Sequence, residues 1–362
     1  MANSNVEYRQ LGKSGLRVSV PIMGCMSFGS EEQWGVRKTL AYYLKKLFLL
    51  SPPLQPWILN EDASLEILKA AWDQGINTFD TANVYSNGES ERVLGTFIKK
   101  YNIPRSQVVL ATKVFSLVSE DPGVHTYLIP DLSKQRRYVN QGGLSRTAIF
   151  NAVEGCLERL GTSYIDLLQI HRFDPEVPPE ETMKALHDIV QSGKARYIGA
   201  SSMRCWQFAL LNEVAEKHGW TKFVSMQDEH SLLYREGERE MHAYCKYHGI
   251  GLIPWSPLAA GALARLPGAR TTRSKALEQT PFKMVYSDAD TAIVNRVNEL
   301  AQKKGWKMSQ VALAWSQAKV TSPIVGANSV SRVQESVIRE FTLTPEEISY
   351  LEEPYVAKAV RV

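Results

Sequence analysis

The chain has 362 residues, of which 44% are hydrophobic and 22% charged, a composition typical of a globular protein with a large core. A net charge of +4 is small for this length, and no run of Lys and Arg exceeds two residues, which argues against nucleic-acid binding. The stretch from Leu40 to Leu50 contains Lys45 and Lys46 and is too short to span a bilayer.

The N-terminal segment and the cysteines indicate the compartment. The first residues show neither an apolar signal segment nor an Arg-rich amphipathic pattern, so we expect no targeting signal. The four cysteines form no C-x-x-C pair and are expected to be free thiols: Cys25, Cys156, Cys205 and Cys245. Both observations favour a cytoplasmic protein.

Taken in chain order, the elements begin with a hairpin predicted over Val6 to Val20, with turns at Gly12 and Gly15. Apolar runs then alternate with helical patterns, and glycines stand between each helix and the next run. Eight buried strands are predicted at 20–25, 76–80, 108–112, 165–170, 195–200, 223–227, 250–255 and 323–326. This alternation favours an α/β fold, a (β/α)8 barrel whose bottom the hairpin covers; an open doubly wound sheet is the alternative.

No linker divides the chain, so residues 1–362 are predicted to form a single barrel domain. The segment 35–56, between Trp34 and Trp57, is long for the loop after a first strand. Its leucines could form short amphipathic turns. The alternatives for this segment are a lid, a membrane-surface or partner-binding helix, a flexible insertion and a retained intron.

Ionisable residues stand at the ends of three predicted strands. Asp80, Lys113 and His171 each close an apolar run, and Tyr85 follows Asp80 closely. Buried charges without partners are costly, so we expect these four side chains to meet in one pocket at the C-terminal rim of the barrel. An ammonium lowers the pKa of a phenol, a carboxylate keeps a lysine charged, and an imidazole can bind a substrate oxygen. Together these groups suit protonation of a carbonyl oxygen as hydride reaches its carbon.

The hydride must come from a cofactor, because no side chain supplies one. The chain contains neither the G-x-G-x-x-G fingerprint nor a P-loop. The loop after the last predicted strand, Gly326 to Ser329, leads into a helix containing Arg332 and Glu335. Backbone amides at that helix start, together with Arg332, would suit a phosphate group.

Five separated motifs carry a family resemblance. They are GINTFDTANVY at 75–85, ATKV at 111–114, QIHR at 169–172, KARYIGASS at 194–202 and IPWSPL at 253–258. The chain resembles the aldo-keto reductase superfamily over nearly all of residues 6–345 except 35–56. Within it, the chain is most similar to the fungal aryl-alcohol-dehydrogenase-like reductases, which are related to potassium-channel β subunits.

The resemblance implies a (β/α)8 barrel that uses NADP(H) to reduce an aromatic or hydrophobic aldehyde or ketone to the alcohol. It implies catalytic roles for Asp80, Tyr85, Lys113 and His171. The cofactor-binding residues implied are Ser201, Ser202, Gln227, Trp255, Ser256, Pro257, Leu258, Gly326, Asn328, Arg332 and Glu335, with the first three at the carboxamide and Trp255 stacked on the nicotinamide. The family often has Asn where Ser336 stands and a lysine near Gly326, so the choice between NADPH and NADH stays open.

Three alternatives to an active reductase are considered. The first is a nucleotide-sensing binding subunit with little turnover, and the second is an enzyme impaired by the 35–56 segment. The third is a metal hydrolase built on Asp228, Glu229 and His230, which is disfavoured because the chain contains neither H-x-H nor H-E-x-x-H. No metal is expected. The expected partner is a small carbonyl compound, and nothing in the sequence indicates the oligomeric state.

Overall fold

In this computed structural model the described residues are 5–29, 57–119, 126, 129, 131–269 and 285–361. The predicted insertion at 35–56 lies outside them. Strands β1 (Glu7–Gln10) and β2 (Arg17–Val20) pair antiparallel, which confirms the predicted hairpin. Among the described residues, no helix is both long and apolar enough to cross a membrane.

Eight parallel strands form the central sheet, in the order β10-β3-β4-β5-β6-β7-β8-β9. Their bounds are β3 Ile22–Gly24, β4 Thr78–Asp80, β5 Val109–Val114, β6 Ile165–Ile170, β7 Ala195–Ser201, β8 Ser225–Gln227, β9 Gly251–Leu252 and β10 Ile324–Val325. The two edges meet, because the Ile324 N–H donates to the Pro254 carbonyl over 2.8 Å and the Thr321 N–H donates to the Leu252 carbonyl over 3.0 Å. The predicted barrel is therefore confirmed, and the open doubly wound sheet is wrong.

The last two barrel strands are shorter than predicted. β9 and β10 have two residues each, whereas the apolar runs covered 250–255 and 323–326. Pro254 and Pro323 explain the difference, since a proline has no N–H to continue a strand ladder.

Ten α-helices are described along the chain, most of them on the outside of the barrel. Their bounds are α1 Glu61–Asp73, α2 Glu89–Lys100, α3 Arg146–Leu160, α4 Pro179–Gln191, α5 Cys205–His218, α6 Met241–His248, α7 Asp288–Lys304, α8 Met308–Lys319, α9 Val330–Ser336 and α10 Pro345–Glu352. α3 and α5 end at Gly161 and Gly219, whose φ angles of 62° and 65° are those of a left-handed cap. The pattern of glycine before strand in the sequence has this physical origin.

The interior of the barrel changes from apolar to polar along the strands. Its lower part is a cluster of buried apolar side chains: Leu11, Val18, Ile22, Val109, Ala111, Leu167, Ile253 and Ile324. Because side chains alternate between the two faces of a strand, the next inward positions on β5 and β6 are Lys113 and Gln169. A polar layer therefore lies above the apolar one, at the C-terminal end of the barrel.

Candidate active site

Lys113 lies at the centre of this polar layer and is fully buried. Its Nζ donates to Asp80 Oδ1 over 2.5 Å, to the Thr81 carbonyl over 2.8 Å and to the Tyr85 hydroxyl oxygen over 3.3 Å. Three acceptors match the three hydrogens of an ammonium group. Burial lowers the pKa of Lys113, but the Asp80 carboxylate and the Tyr85 phenol outweigh that penalty, so its pKa lies above the ordinary value. The lysine is therefore charged.

Two buried amides hold the other oxygen of Asp80. Gln169 Nε2 and Gln227 Nε2 donate to Asp80 Oδ2 over 3.0 and 2.9 Å. Gln227 Nε2 also donates to Gln169 Oε1 over 3.0 Å. Gln169 was not among the predicted site residues. Its signal in the sequence is weak but real, since it stands two residues before His171 and so on the same face of β6.

A strained turn carries Tyr85. The residues after it, Ser86 and Asn87, have φ angles of 48° and 51°, and Gly88 follows at 90°. Left-handed backbone is unfavourable for residues with a Cβ, so the surroundings must enforce it. One such contact is the Ser119 N–H, which donates to Asn87 Oδ1 over 3.2 Å. The turn places the Tyr85 ring 4.9 Å from the Lys113 ammonium.

His171 follows β6 and faces Tyr85. The two rings meet edge to face, with their centroids 5.8 Å apart. Burial, the Lys113 ammonium and the Arg172 guanidinium lower the pKa of His171 well below its ordinary value, so the imidazole is neutral at pH 7. Its Nδ1 is buried, and no group in the described part of the chain pairs with it.

The predicted carboxamide residues adjoin this cluster on the next strands. Ser201 Oγ donates to the Gln227 carbonyl over 2.8 Å, and the Trp255 indole N–H donates to Ser202 Oγ over 3.2 Å. Ser202 has a left-handed φ of 45°, and Ser256 one of 62°. Pro257 and Leu258 continue the same turn after β9. The structure thus brings the predicted nicotinamide residues to the same rim as the four predicted catalytic residues.

The predicted phosphate region lies beyond β10. Arg332 is hydrogen-bonded to Asn328, and Ser329 caps α9 by accepting from the Arg332 N–H over 3.4 Å. Glu335 is paired with Lys307 over 2.5 Å rather than with Arg332. Burial and the nearby charge of Arg332 lower the pKa of Arg265, so two cations share this region. A side chain added at Gly326 would meet nothing within 4 Å.

The acidic and histidine residues after β8 are engaged with one another. Asp228 Oδ2 contacts His242 Nε2 over 2.8 Å, and His230 Nε2 contacts Glu238 Oε1 over 2.8 Å. Across the described ranges, no three His, Cys, Asp or Glu side chains are placed to hold a metal ion. These contacts join the segment after β8 to the start of α6.

Comparison with known proteins identifies the family. The sequence profile of the Aldo/keto reductase family matches residues 52–355. The chain is 49% identical to an aldo-keto reductase of Alternaria alternata, with 98% of this chain and 93% of the relative covered. It is 48% identical to versiconal hemiacetal acetate reductase of Aspergillus parasiticus, with 98% of each covered. It is 49% identical to a putative aryl-alcohol dehydrogenase of Schizosaccharomyces pombe, with 96% and 95% covered. The resemblance to the fungal aryl-alcohol-dehydrogenase-like branch is confirmed, and the chain belongs to the aldo/keto reductase family of oxidoreductases.

Proposed function

We propose that the protein is an NADPH-dependent reductase that converts an aromatic or hydrophobic aldehyde or ketone to its alcohol. One observation carries the proposal: the charged Lys113 donates its third hydrogen to the phenol oxygen of Tyr85. Since the phenol oxygen is the acceptor in this bond, contact with the ammonium is compatible with a role of the phenol as proton donor.

Tyr85 is the proton donor in this scheme. Its hydrogen passes to the substrate carbonyl oxygen as the carbonyl carbon gains a hydride, and the alcohol leaves behind a phenolate. The reduced nicotinamide, when bound, supplies the hydride. The Lys113 ammonium stabilises the phenolate, and Asp80 holds the lysine in its charged form. The negative charge left on Tyr85 therefore forms beside a positive one.

His171 orients the substrate rather than protonating it. A neutral imidazole has one N–H, which can donate a hydrogen bond to a carbonyl oxygen. Its pKa, lowered by burial and by two neighbouring cations, leaves little imidazolium to act as an acid at neutral pH. For this reason the role of acid is assigned to Tyr85 rather than to His171.

The residues present fit a nicotinamide dinucleotide. Ser201, Ser202 and Gln227 would bind the carboxamide, and the half-buried Trp255 offers an aromatic face for stacking.

The turn residues Ser256, Pro257 and Leu258 lie between these groups and the phosphate region. There Gly326 leaves open space, and Asn328, Arg332 and Glu335 would meet the adenosine end. We prefer NADPH to NADH because Arg332 and Arg265 present two cations while Lys307 already neutralises Glu335.

Apolar side chains at the rim support a hydrophobic substrate. Trp206, 61% exposed, packs edge to face on Phe173 with centroids 5.9 Å apart, and Met26 is 37% exposed. These residues follow the ends of β7, β6 and β3, at the same rim of the barrel as the site. The names of the relatives, which include a hemiacetal acetate reductase and a putative aryl-alcohol dehydrogenase, agree with this substrate class. We also propose that the chain forms a single domain and that the protein is located in the cytoplasm.

The test is NADPH consumption over a panel of aromatic and aliphatic carbonyls, with NADH in parallel. We expect Tyr85→Phe to lower turnover by about a hundredfold to ten-thousandfold, the usual contribution of a general acid, and to leave NADPH affinity nearly intact. Unchanged turnover in Tyr85→Phe would refute the proton-donor role. Tight NADPH binding without turnover of any carbonyl would favour the nucleotide-sensing alternative instead.

A further inference from the structure

Gln169 occupies the middle of the polar layer and is fully buried. Its backbone pairs with Lys113 of β5 on one side and with Gly199 of β7 on the other. Its amide nitrogen donates to Asp80, and its amide oxygen accepts from Gln227. Gln169 thus links the side chain that neutralises Lys113 to a side chain on the nicotinamide side of the site.

The absence of a side chain at Gly199 of β7 leaves room for the side chain of Gln169. A Cβ added at Gly199 would lie 3.2 Å from Gln169 Cγ and 2.3 Å from Ser225 Oγ. An apolar side chain of similar length would fill the space beside Gly199 equally well. A buried amide is unfavourable unless its polar atoms are paired, so its presence here reflects its hydrogen bonds rather than its volume.

The network fixes the orientation of Gln227. The two hydrogens of its amide are donated to Asp80 Oδ2 and to Gln169 Oε1. The side-chain oxygen of Gln227, Oε1, must then point away from both acceptors. In this orientation Gln227 Oε1 can accept from the NH2 of the cofactor carboxamide. If the Gln227 amide were turned the other way, it would present its own NH2 to that group, and no hydrogen bond would form between the two donors.

We propose that Gln169 is a positioning residue that couples the cofactor carboxamide to the proton donor, by orienting Gln227 and dispersing the charge of Asp80. This inference deepens the proposed function and rests on it. Without Gln169, Asp80 would lose a donor and draw the Lys113 proton more strongly. The ammonium would then act less on Tyr85, and the phenol would be a weaker acid.

Several titratable groups face the Tyr85 phenol and share in its behaviour. They are Asp80 on β4, Lys113 on β5 and His171 after β6, with the Arg172 guanidinium next to the histidine. The Cys25 thiol lies beside Asp80 after β3, where burial raises its pKa well above the ordinary value, so it stays neutral. The Gln169 side chain donates to the Asp80 carboxylate, so its replacement acts on Tyr85 through that group.

The test compares Gln169→Leu and Gln169→Met with Ser225→Ala. Ser225 Oγ is buried beside Gly199, and within the described residues it has no hydrogen-bond partner, so its removal is a control for disturbance of the layer. Two quantities are measured without turnover: the pKa of Tyr85, by NMR of isotope-labelled tyrosine assigned with Tyr85→Phe, and the dissociation constant for NADPH. The basic limb of the pH profile for carbonyl reduction is the third readout.

We expect both Gln169 variants to raise the pKa of Tyr85 by up to about one unit and to weaken NADPH binding by about threefold to tenfold. The basic limb should move to higher pH by the same amount, while Ser225→Ala changes none of the three. A general loss of stability would lower activity without moving the pKa. Folded Gln169 variants with the wild-type Tyr85 pKa and NADPH affinity would overturn the inference. Absence of turnover in the wild type would overturn the proposed function and leave the first two readouts decisive for Gln169.

Discussion

Replacement of Lys113 by methionine should destabilise the protein far more than loss of a surface charge. Lys113 and Asp80 form an ion pair at 2.5 Å with side-chain exposures of 0% and 4%. Lys113→Met leaves the Asp80 carboxylate buried without its cation, and the Thr81 carbonyl also loses its donor. Breaking a buried pair in this way usually costs about 3–5 kcal/mol. The donors on the other oxygen of Asp80 compensate in part, so we expect about 3 kcal/mol.

The second step separates charge from packing. In the double variant Lys113→Met with Asp80→Asn, no buried charge is left and the asparagine oxygen can still accept from the two glutamines. We therefore expect the double variant to be more stable than Lys113→Met by about 1–2 kcal/mol, although both lack turnover. As a control, Lys69→Met removes the exposed pair with Asp73 and should cost less than about 1 kcal/mol.

The assay is urea unfolding at neutral pH, followed by tryptophan fluorescence. The pKa of Lys113 is raised above its ordinary value of 10.5, so the stabilisation it gives is fully present below that pH and is lost only as the pH rises through the folded-state value. Neutral pH therefore lies on the plateau. Loss of less than about 1 kcal/mol in Lys113→Met, or a double variant less stable than the single one, would refute the reasoning.

Two further predictions concern pH and cofactor choice. The pKa of His171 is lowered below its ordinary 6.5, so the unfolded chain takes up a proton first and stability falls as the pH drops below that value. When the pH is lowered from about 7.5 to about 5.5, the free energy of unfolding of His171→Asn should therefore fall less than that of the wild type. The difference should grow by up to about 1.4 kcal/mol for each pH unit. Unfolding experiments at several pH values check this, with His248→Asn, at an exposed position, as control. Arg332→Ala should weaken NADPH binding by about tenfold to a hundredfold and NADH binding by much less, because only NADPH carries the extra phosphate. Titration of both nucleotides checks this, with Arg296→Ala, whose side chain pairs with Glu353, as control; equal losses would contradict the phosphate role.

The barrel and its rim were readable from the sequence because each depends on local chemistry. Buried parallel strands require apolar runs, and the residue that ends such a run lies at the rim whatever the helices do. Asp80, Lys113 and His171 were found in this way, and the structure brings them together with Tyr85. The bounds of β9 and β10 were misplaced because the apolar runs include Pro254, after β9, and Pro323, before β10, which cannot continue a ladder.

Other features depend on how distant elements are rotated against each other. Gln169 stands inside an apolar run, and its partners Asp80 and Gln227 come from other strands. The strand register that places them together is set by the whole cylinder. The pairing of Glu335 with Lys307 joins two helices whose relative orientation no local pattern records. Sequence analysis therefore predicted that the four ionisable side chains meet in one pocket, but it did not predict the hydrogen bonds of Gln169 or the pair of Glu335 with Lys307.

The hydrogen bonds of Lys113 also limit what chemistry an aldehyde meets in this barrel. A neutral lysine amine beside an aldehyde would attack the carbonyl carbon and condense to an imine. Here the nitrogen is buried, charged and bonded through all three hydrogens, so it has no lone pair for that attack. The same hydrogen bonds that hold the ammonium beside the Tyr85 phenol thus protect the protein from becoming covalently trapped by an aldehyde.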